Sequence, residues 1–384
     1  MILRHLRPLG GAAVDVHIAG GRIAALEPSR AEGPAALLLP GLVEGHCHLD
    51  KTLWGLPWWV NEVGPLLTDR IENEKRVRRA IGMDAAREGR ALAEAHLAAG
   101  TTRLRSHVDV DEESRLRHVE ALLALREAMA GRIEIQLVAF PQSGILRTPG
   151  VAEWLEEALR LGCDAVGGLD PSLIDRDPVR HLDIVFGLAE RHGKPVDIHL
   201  HEAGELGAFS MELIAERSLA LGMQGRVVIS HGFALGDVAP ARAEALLALL
   251  ARAGVALCTS APPSRAVPPL RLARAHGVAL FAGNDNIRDT WSPYNAPDML
   301  ARAAMLGLKY ELRRDADVAL ALETVTTAAA RGCGFADYGL EVGCRADLVV
   351  VEAATVAEAV VQRKAPALVV SGGRVVARNG VLEG

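Results

Sequence analysis

The sequence has little of several residue types, and each shortage excludes a class of protein. Only five of its 384 residues are cysteine, and no two form a CxxC pair, so we expect no disulfide framework of the kind that small secreted domains use. The aromatic fraction is 4%, which leaves a largely aliphatic core. Lysine and arginine together number 42 against 48 aspartate and glutamate residues. No overall positive charge therefore favours binding to nucleic acid.

Long apolar runs are also missing. No stretch of 18 or more apolar residues occurs, so no transmembrane helix and no membrane partner are expected. The first residues lack the apolar region and small-residue cleavage site of a secretory signal. Half of the residues are nevertheless hydrophobic, which excludes a disordered chain. We therefore predict a folded, cytoplasmic protein.

The middle of the chain alternates between strand and helix patterns. Eight consecutive βα units favour a distorted (β/α)8 barrel of the TIM type over residues 43–335, with a doubly wound sheet as the alternative. Glycines that follow several of the helical patterns, such as Gly193 and Gly254, are typical helix ends. The candidate barrel strands are 38–46, 103–109, 133–140, 164–169, 195–201, 226–231, 255–259 and 278–284.

Both ends of the chain are rich in strand patterns. Residues 14–18 and 22–26 flank a Gly-Gly turn, and residues 367–371 precede another. We therefore predict a small β-sandwich domain formed by residues 1–42 and 336–384. Residues 50–74 are too long for an ordinary βα loop and contain three tryptophans, so they are predicted to form a lid or a loop that faces a substrate.

Histidine and aspartate recur where barrel strands end, which is where barrel enzymes place their chemistry. His46 and His48 are two residues apart on the first barrel strand, so their imidazoles share one face. His199 lies at the end of the fifth strand and Asp285 follows the eighth. Three imidazoles and a carboxylate predict a site for one divalent metal ion, Zn²⁺ or Fe²⁺, with an open position for water.

Two further residues near these strand ends suggest roles in proton transfer. Glu202 lies three residues beyond His199 and is placed to move a proton between water and a substrate. His231 ends the sixth strand; it is either a fifth ligand or a catalytic histidine, and we prefer the second role because four ligands exist without it. No lysine lies at the end of the fourth strand, residues 166–171, which argues against a binuclear site bridged by a modified lysine.

Several motifs resemble those of the amidohydrolase superfamily, most closely its cytosine deaminase branch. The resemblance covers nearly the whole chain, and the motifs that carry it are 40–51, 105–110, 138–145, 196–199 and 230–231. It implies a metal held by His46, His48, His199 and Asp285, with Glu202, His231 and Asp285 as catalytic residues. It also implies hydrolysis of an exocyclic C–N bond on a cytosine-like pyrimidine or a related N-heterocycle.

The resemblance also suggests residues that contact the substrate. Gln142 matches a glutamine that hydrogen-bonds the pyrimidine ring. Asn286 stands where cytosine deaminases carry aspartate, and because an amide can donate a hydrogen bond, we expect the substrate to present an acceptor there. Trp291 is expected either to stack on a flat ring or to pack in the core, and His107 either to support the pocket or to fill the barrel.

Alternative functions remain open from the sequence. The segments around Asn286 and 166–171 also resemble the ammelide-type hydrolases of N-alkylaminotriazines, which belong to the same branch. One alternative is a cyclic-amide hydrolase, against which the missing lysine at the end of strand 4 argues. Another is a barrel kept only for protein interactions, against which the complete set of site residues argues. The expected partner is a small N-heterocyclic substrate, and homo-oligomers are an open possibility.

Overall fold

The computed structural model describes residues 1–64 and 66–383. Sixteen strands of this part of the chain form two sheets of eight strands each. In chain order they are β1 (Ile2–Pro8), β2 (Val14–Ala19), β3 (Arg22–Pro28), β4 (Ala36–Pro40), β5 (Leu42–Cys47), β6 (Thr101–Asp109), β7 (Glu134–Phe140), β8 (Ala165–Leu169), β9 (Val196–Leu200), β10 (Val227–His231), β11 (Val255–Thr259), β12 (Leu280–Ala282), β13 (Leu348–Val351), β14 (Leu368–Ser371), β15 (Arg374–Arg378) and β16 (Val381–Leu382).

Helices connect most of the strands of the second sheet. In chain order they are α1 (Leu67–Ile81), α2 (Ala85–Ala98), α3 (Arg117–Ala128), α4 (Val151–Leu161), α5 (Pro178–His192), α6 (Gly204–Ala220), α7 (Ala234–Asp237), α8 (Pro240–Arg252), α9 (Leu270–Ala275), α10 (Met299–Lys309), α11 (Asp315–Glu323), α12 (Thr327–Cys333) and α13 (Val356–Gln362). Within the described ranges, no helix is long and apolar enough to cross a membrane.

Strands β5 to β12 stand in chain order in one parallel sheet, the arrangement of a (β/α)8 barrel. The first and last strands meet at the seam, where Cys47 forms an isolated parallel bridge with Asp285. The core around the strands is aliphatic and includes Leu104, Leu137 and Ile198, as the low aromatic content predicts. The predicted fold class is confirmed.

The other sheet joins the two ends of the chain. Its strand order is β16-β15-β14-β13-β4-β1-β2-β3, and the antiparallel pairing of β4 with β13 joins the strands of the two ends. Leu38, Leu348 and Val370 lie in a separate hydrophobic cluster on this sheet. The domain limits 1–42 and 336–384 stay a prediction.

The predicted strand 38–46 is in fact two strands, one in each sheet. The chain leaves β4 at Pro40 and enters β5 at Leu42. Gly41 makes this change of sheet possible, because a Cβ at this position would lie 2.1 Å from the Thr102 hydroxyl oxygen. A continuous strand pattern cannot reveal such a transfer, since both halves are equally apolar.

The helices differ from prediction mainly around the predicted lid. Of residues 50–74, position 65 lies outside the described residues, and positions from Leu67 onward belong to α1. The helical sequence pattern of residues 75–99 predicts one helix, but the structure divides it at Gly82, which has a φ of 59°. Helix α2 then begins after Asp84, whose carboxylate accepts hydrogen bonds from the amides of Ala86 and Arg87. The sequence patterns predict no helix at α7, α11, α12 or α13.

Candidate metal centre and active site

Four histidines and one aspartate meet at the carboxyl end of the barrel. The His46 ring lies 5.5 Å from the His48 ring, 4.5 Å from the His199 ring and 5.2 Å from the His231 ring, measured between centroids. Asp285 Oδ1 lies 3.7 Å from His46 Nε2 and 3.4 Å from His48 Nε2. Residues that are 239 positions apart (46 to 285) in the sequence thus surround one point.

The most compact set of possible ligand atoms differs in one member from the predicted set. One ligand atom each from His46, His199, His231 and Asp285 lie within 4.8 Å of one another. His48 lies at the edge of this group, near Asp285. The structure therefore brings together all four predicted ligands and adds His231 among them.

The tautomer of His46 is set by a short hydrogen-bond chain. Ser230 Oγ donates its only hydrogen to Asp197 Oδ1 at 2.7 Å, so it can only accept from His46 Nδ1, which lies 2.9 Å away. His46 Nε2 consequently carries the free electron pair. This atom is buried without a hydrogen-bond partner among the described residues, as a metal ligand should be.

The remaining donor atoms also fit a divalent ion. His199 Nε2 and His231 Nε2 are buried, and neither has a hydrogen-bond partner in the described part of the chain. Burial lowers the pKa of His46 and of His199 well below the usual value, which keeps both imidazoles neutral. Burial would raise the pKa of Asp285, but the imidazoles of His48 and His231 hold that pKa well below its ordinary value. Neutral imidazoles with an ionised carboxylate are the donor set of a mononuclear Zn²⁺ or Fe²⁺ site.

Two residues of the cluster have an unusual backbone. His231 has a φ of 73° and Asp285 a φ of 62°, in the left-handed region that non-glycine residues seldom adopt. The surrounding hydrogen bonds hold this conformation; the Asp285 amide, for example, donates to the His46 carbonyl at 2.7 Å. Backbone strain of this kind is concentrated at functional sites.

Gly283 allows the two seam strands to approach each other, and its substitution is our first prediction. A Cβ at this position would lie 2.4 Å from His46 Cβ and 2.6 Å from the His46 amide nitrogen. We expect Gly283→Ala to displace His46, to destabilise the fold by about 1–3 kcal/mol as overpacking does, and to reduce the metal content. Denaturant unfolding and elemental analysis measure the two effects.

Gly307→Ala is the matched control for that substitution. Gly307 lies within α10, and a Cβ there would meet no atom of the described residues within 4 Å. Its replacement should leave the metal content unchanged and should not destabilise the protein. Equal metal content in both variants would contradict the positioning role of Gly283.

Glu202 lies at the start of the loop after β9 and is held by three donors. Its Oε1 accepts hydrogen bonds from the amides of Ser172 and Leu173 at 2.7 and 2.8 Å, and its Oε2 accepts one from the Ser210 hydroxyl. Burial raises its pKa, against the effect of these hydrogen bonds. The carboxylate is thus fixed in position and closer to taking up a proton than an exposed glutamate is.

A second pair of side chains lies beside His231. Asp170 Oδ2 accepts a hydrogen bond from His201 Nδ1 at 2.8 Å, and the His201 ring stacks on His231 at 4.1 Å. Burial opposes the charge on His201, but the Asp170 carboxylate raises the pKa of this histidine. Burial and the neighbouring charge on His201 lower the pKa of His231 to about 3, so His231 is neutral at pH 7.

One cavity of about 590 Å³ opens onto this cluster. Of the predicted site residues, the structure places these at its wall: His48, Gln142, His199, Glu202, His231, Asp285, Asn286 and Trp291. Apolar side chains form another part of the wall, among them Leu169, Leu173 and Phe233.

His107 lies behind the ligand residues, and not at the wall of the cavity. It is fully buried and lies beneath the cluster, 4.0 Å from the His46 ring and 4.5 Å from the His199 ring. It is not among the side chains that line the cavity. The structure therefore gives it a supporting position behind the ligands rather than a contact with substrate.

Lys51 is a functional candidate that the sequence analysis missed. It lines the cavity although only 2% of it is exposed. Its ammonium donates to Asp109 Oδ1 at 2.9 Å and to Gln142 Oε1 at 3.1 Å. Glu74 Oε2 lies 3.7 Å away and also accepts a hydrogen bond from the Trp291 indole. Lysine is scarce, and one of the five lies three residues after His48 of the HxH motif; this is the signal that could have identified it.

Asn286 lines the same cavity but is oriented by a neighbour that was also missed. Its Nδ2 donates to Asp289 Oδ2 at 2.5 Å. The other Asp289 oxygen accepts hydrogen bonds from the amides of Trp291 and Ser292 at 2.8 and 2.9 Å. Asp289 thus takes one of the two N–H groups of Asn286, and the expectation that Asn286 donates to the substrate stays a prediction.

Comparisons with known proteins agree with this geometry. Residues 35–377 match the model of the amidohydrolase family. The N-isopropylammelide isopropyl amidohydrolase of Pseudomonas sp. (strain ADP) is 31% identical over 96% of this chain and 94% of its own length.

Solved structures give the same picture in three dimensions. The structure of N-isopropylammelide isopropylaminohydrolase from Burkholderia multivorans ATCC 17616 superposes with a TM-score of 0.96 at 52% identity, covering 100% of this chain and 99% of its own. The structure of 5-methylcytosine deaminase from Klebsiella pneumoniae with 5-fluorocytosine has a TM-score of 0.89 at 26% identity, with 100% and 98% of the two chains covered.

Proposed function

Because the chain belongs to the amidohydrolase family, we propose that it hydrolyses the exocyclic C–N bond of an N-alkylamino oxo-triazine of the N-isopropylammelide type. Water adds to the ring carbon, the bond to the exocyclic nitrogen breaks, and an alkylamine leaves while the ring keeps a new carbonyl group. The family assignment makes the chain a hydrolase that acts on C–N bonds. The ring and its substituent are the proposal.

The composition of the cavity is the observation that carries this choice. Leu169, Leu173, Leu206 and Phe233 line it together with Glu202 and His231. An N-alkyl group on the substrate would cover this apolar surface, whereas an unsubstituted amino group would leave it in contact with water. The similarity to the two N-isopropylammelide hydrolases supports the same substrate class.

His46, His48, His199 and Asp285 would hold the metal in this proposal: His46, His199 and Asp285 belong to the compact group of ligand atoms, and His48 Nε2 lies 3.4 Å from Asp285 Oδ1. A divalent ion on such ligands supplies Lewis acidity, which makes water a competent nucleophile at neutral pH. Zn²⁺ and Fe²⁺ both suit this donor set.

Glu202 and His231 would carry out the proton transfer and orient the water. Glu202, with its raised pKa, takes a proton from the attacking water and delivers it to the leaving nitrogen. His231 is neutral, and its buried Nε2 has no other partner among the described residues. It can therefore accept a hydrogen bond from the water and orient it toward the ring.

Deamination of a cytosine-type pyrimidine is the second candidate. The match to 5-methylcytosine deaminase over 100% of the chain favours it, and the same proton transfers would release ammonia. A cytoplasmic location stays a prediction under either function.

The direct test reconstitutes the metal-free protein with Zn²⁺ or Fe²⁺ and measures isopropylamine released from N-isopropylammelide. We expect one metal ion per chain by elemental analysis and amine release that depends on it. Two tightly bound ions per chain, or none after reconstitution, would contradict the mononuclear centre. Ammonia release from cytosine without amine release would favour the second candidate.

A further inference from the structure

We infer that the site recognises its ring substrate through one hydrogen-bond donor and one hydrogen-bond acceptor, each held in a fixed orientation. Lys51 and Asp289 hold these two groups in place. Lys51 turns the amide N–H group of Gln142 toward the cavity, and Asp289 turns the carbonyl oxygen of Asn286 toward it. The inference deepens the proposed function, on which it rests, because it specifies the ring edges that the same site accepts.

The orientation of Gln142 follows from the chemistry of its neighbour. Gln142 Oε1 lies 3.1 Å from Lys51 Nζ, and an ammonium group has hydrogens to donate but no electron pair to accept with. Rotating the amide by half a turn would place its NH₂ group against the ammonium. Both side chains are buried, with 2% and 4% of them exposed, so water cannot relieve that contact. The opposite, donating end of the amide is therefore left for a ligand.

Lys51 cannot easily move away from Gln142. Asp109 Oδ1 accepts from its ammonium at 2.9 Å, and Glu74 Oε2 lies 3.7 Å away. Arg78 forms ion pairs with both of these carboxylates. The lysine is thus held by a buried ionic network between the end of β6 and helix α1, and it acts on the substrate through Gln142.

The orientation of Asn286 follows in the same way, with the opposite polarity. A carboxylate only accepts hydrogen bonds, and the described hydrogen bonds of the Asp289 carboxylate all come from N–H donors: Asn286, Trp291 and Ser292. The amide nitrogen of Asn286 must therefore face Asp289, to which it donates one of its two hydrogens. Its carbonyl oxygen is the end left for the cavity that Asn286 lines.

These two amide orientations determine which hydrogen-bonding group the substrate must carry on each edge of its ring. The edge near Gln142 must carry an acceptor, a carbonyl oxygen or an unprotonated ring nitrogen, and the edge near Asn286 must carry an N–H group. An oxo-heterocycle in its lactam form meets both requirements. A ring whose edges are reversed would leave buried polar groups unpaired, which discriminates strongly.

The same chemical change, amide to acid, tests the two positions. Gln142→Glu keeps an oxygen for Lys51 but replaces the donor by an acceptor, so we expect binding at least about 100-fold weaker, as for sites that lose a substrate hydrogen bond. Gln142→Met removes the polarity without adding charge and is the control. Binding by the glutamate variant should be no tighter than binding by the methionine variant.

At position 286, exchanging the amide and the carboxylate between Asn286 and Asp289 is expected to restore the binding that the single substitution loses. Asn286→Asp alone sets two carboxylates against each other and should weaken binding. Adding Asp289→Asn restores a donor opposite the new carboxylate, so the double variant should return to within about 10-fold of the parent affinity, which corresponds to about 1.4 kcal/mol.

The measurement is calorimetric binding of the trioxo-triazine ring, the product of the proposed reaction, to the metal-loaded protein and each variant. Melting temperature and metal content show that each variant is folded and loaded. Near-parental affinity in Gln142→Glu, or a double variant no better than Asn286→Asp, would overturn the inference, as would a parent protein that does not bind the ring. The predicted order of affinities without any turnover of N-isopropylammelide would support the inference and contradict the proposed function.

Discussion

Replacing Glu202 by glutamine is expected to lower kcat by about 10²- to 10⁴-fold, the range for loss of a general acid–base group. The variant should keep its fold, because a glutamine oxygen can accept from the amides of Ser172 and Leu173 while its NH₂ group donates to the Ser210 hydroxyl. It should also keep the metal, since Glu202 is outside the compact group of ligand atoms. Steady-state kinetics and elemental analysis on the same preparation measure both quantities.

The matched control is Glu205→Gln. Glu205 is an exposed residue in the first turn of α6 that pairs with Arg242 at the surface, so its replacement changes the same functional group three residues away. It should leave kcat unchanged. A Glu202→Gln variant with the kcat of this control would remove Glu202 from the mechanism.

His231 and His48 are expected to respond differently to the same substitution. His231→Gln should retain one metal ion per chain and lose about 10²- to 10³-fold in kcat, as loss of one preorganised polar group at the reacting centre does. His48→Gln should lose the metal and with it all measurable activity, because His48 is one of three imidazoles in the proposed ligand set. Elemental analysis of both variants after reconstitution gives the answer.

This pair of variants tests the point at which the predicted ligand set and the most compact group of ligand atoms differ. The compact group of donor atoms contains His231 and leaves His48 at its edge. If His231→Gln loses the metal while His48→Gln retains it, the two histidines exchange roles, and the catalytic assignment of His231 is wrong.

The strand ends were predictable because their pattern is local. Aliphatic runs that end in His46, His199 or Asp285 predict both a parallel barrel strand and the position of its functional residue. The fold class and the family resemblance follow from these runs, and both are confirmed. The division of strand 38–46 at Gly41 was not predictable, since it depends on the contact of this glycine with Thr102 on a neighbouring strand.

The orientation of the polar side chains could not be predicted from the sequence. That Gln142 and Asn286 face the cavity follows from their positions after strands, but the direction of each amide depends on Lys51 and Asp289. Lys51 and Gln142 are 91 residues apart, and no periodicity connects them. The burial of His107, by contrast, agrees with the expectation that it fills the barrel or supports the pocket, because both positions lie inside the barrel.

The central claim is that the site accepts an N-alkylamino oxo-triazine in preference to a cytosine-type pyrimidine. The measurement that tests it most directly is kcat/KM for N-isopropylammelide and for cytosine on one metal-loaded preparation, with the released amine identified in each case. We expect a ratio of at least about 100 in favour of the triazine, because its alkyl group covers the apolar wall near Leu173 and Phe233. A ratio near one, or a preference for cytosine, would contradict it.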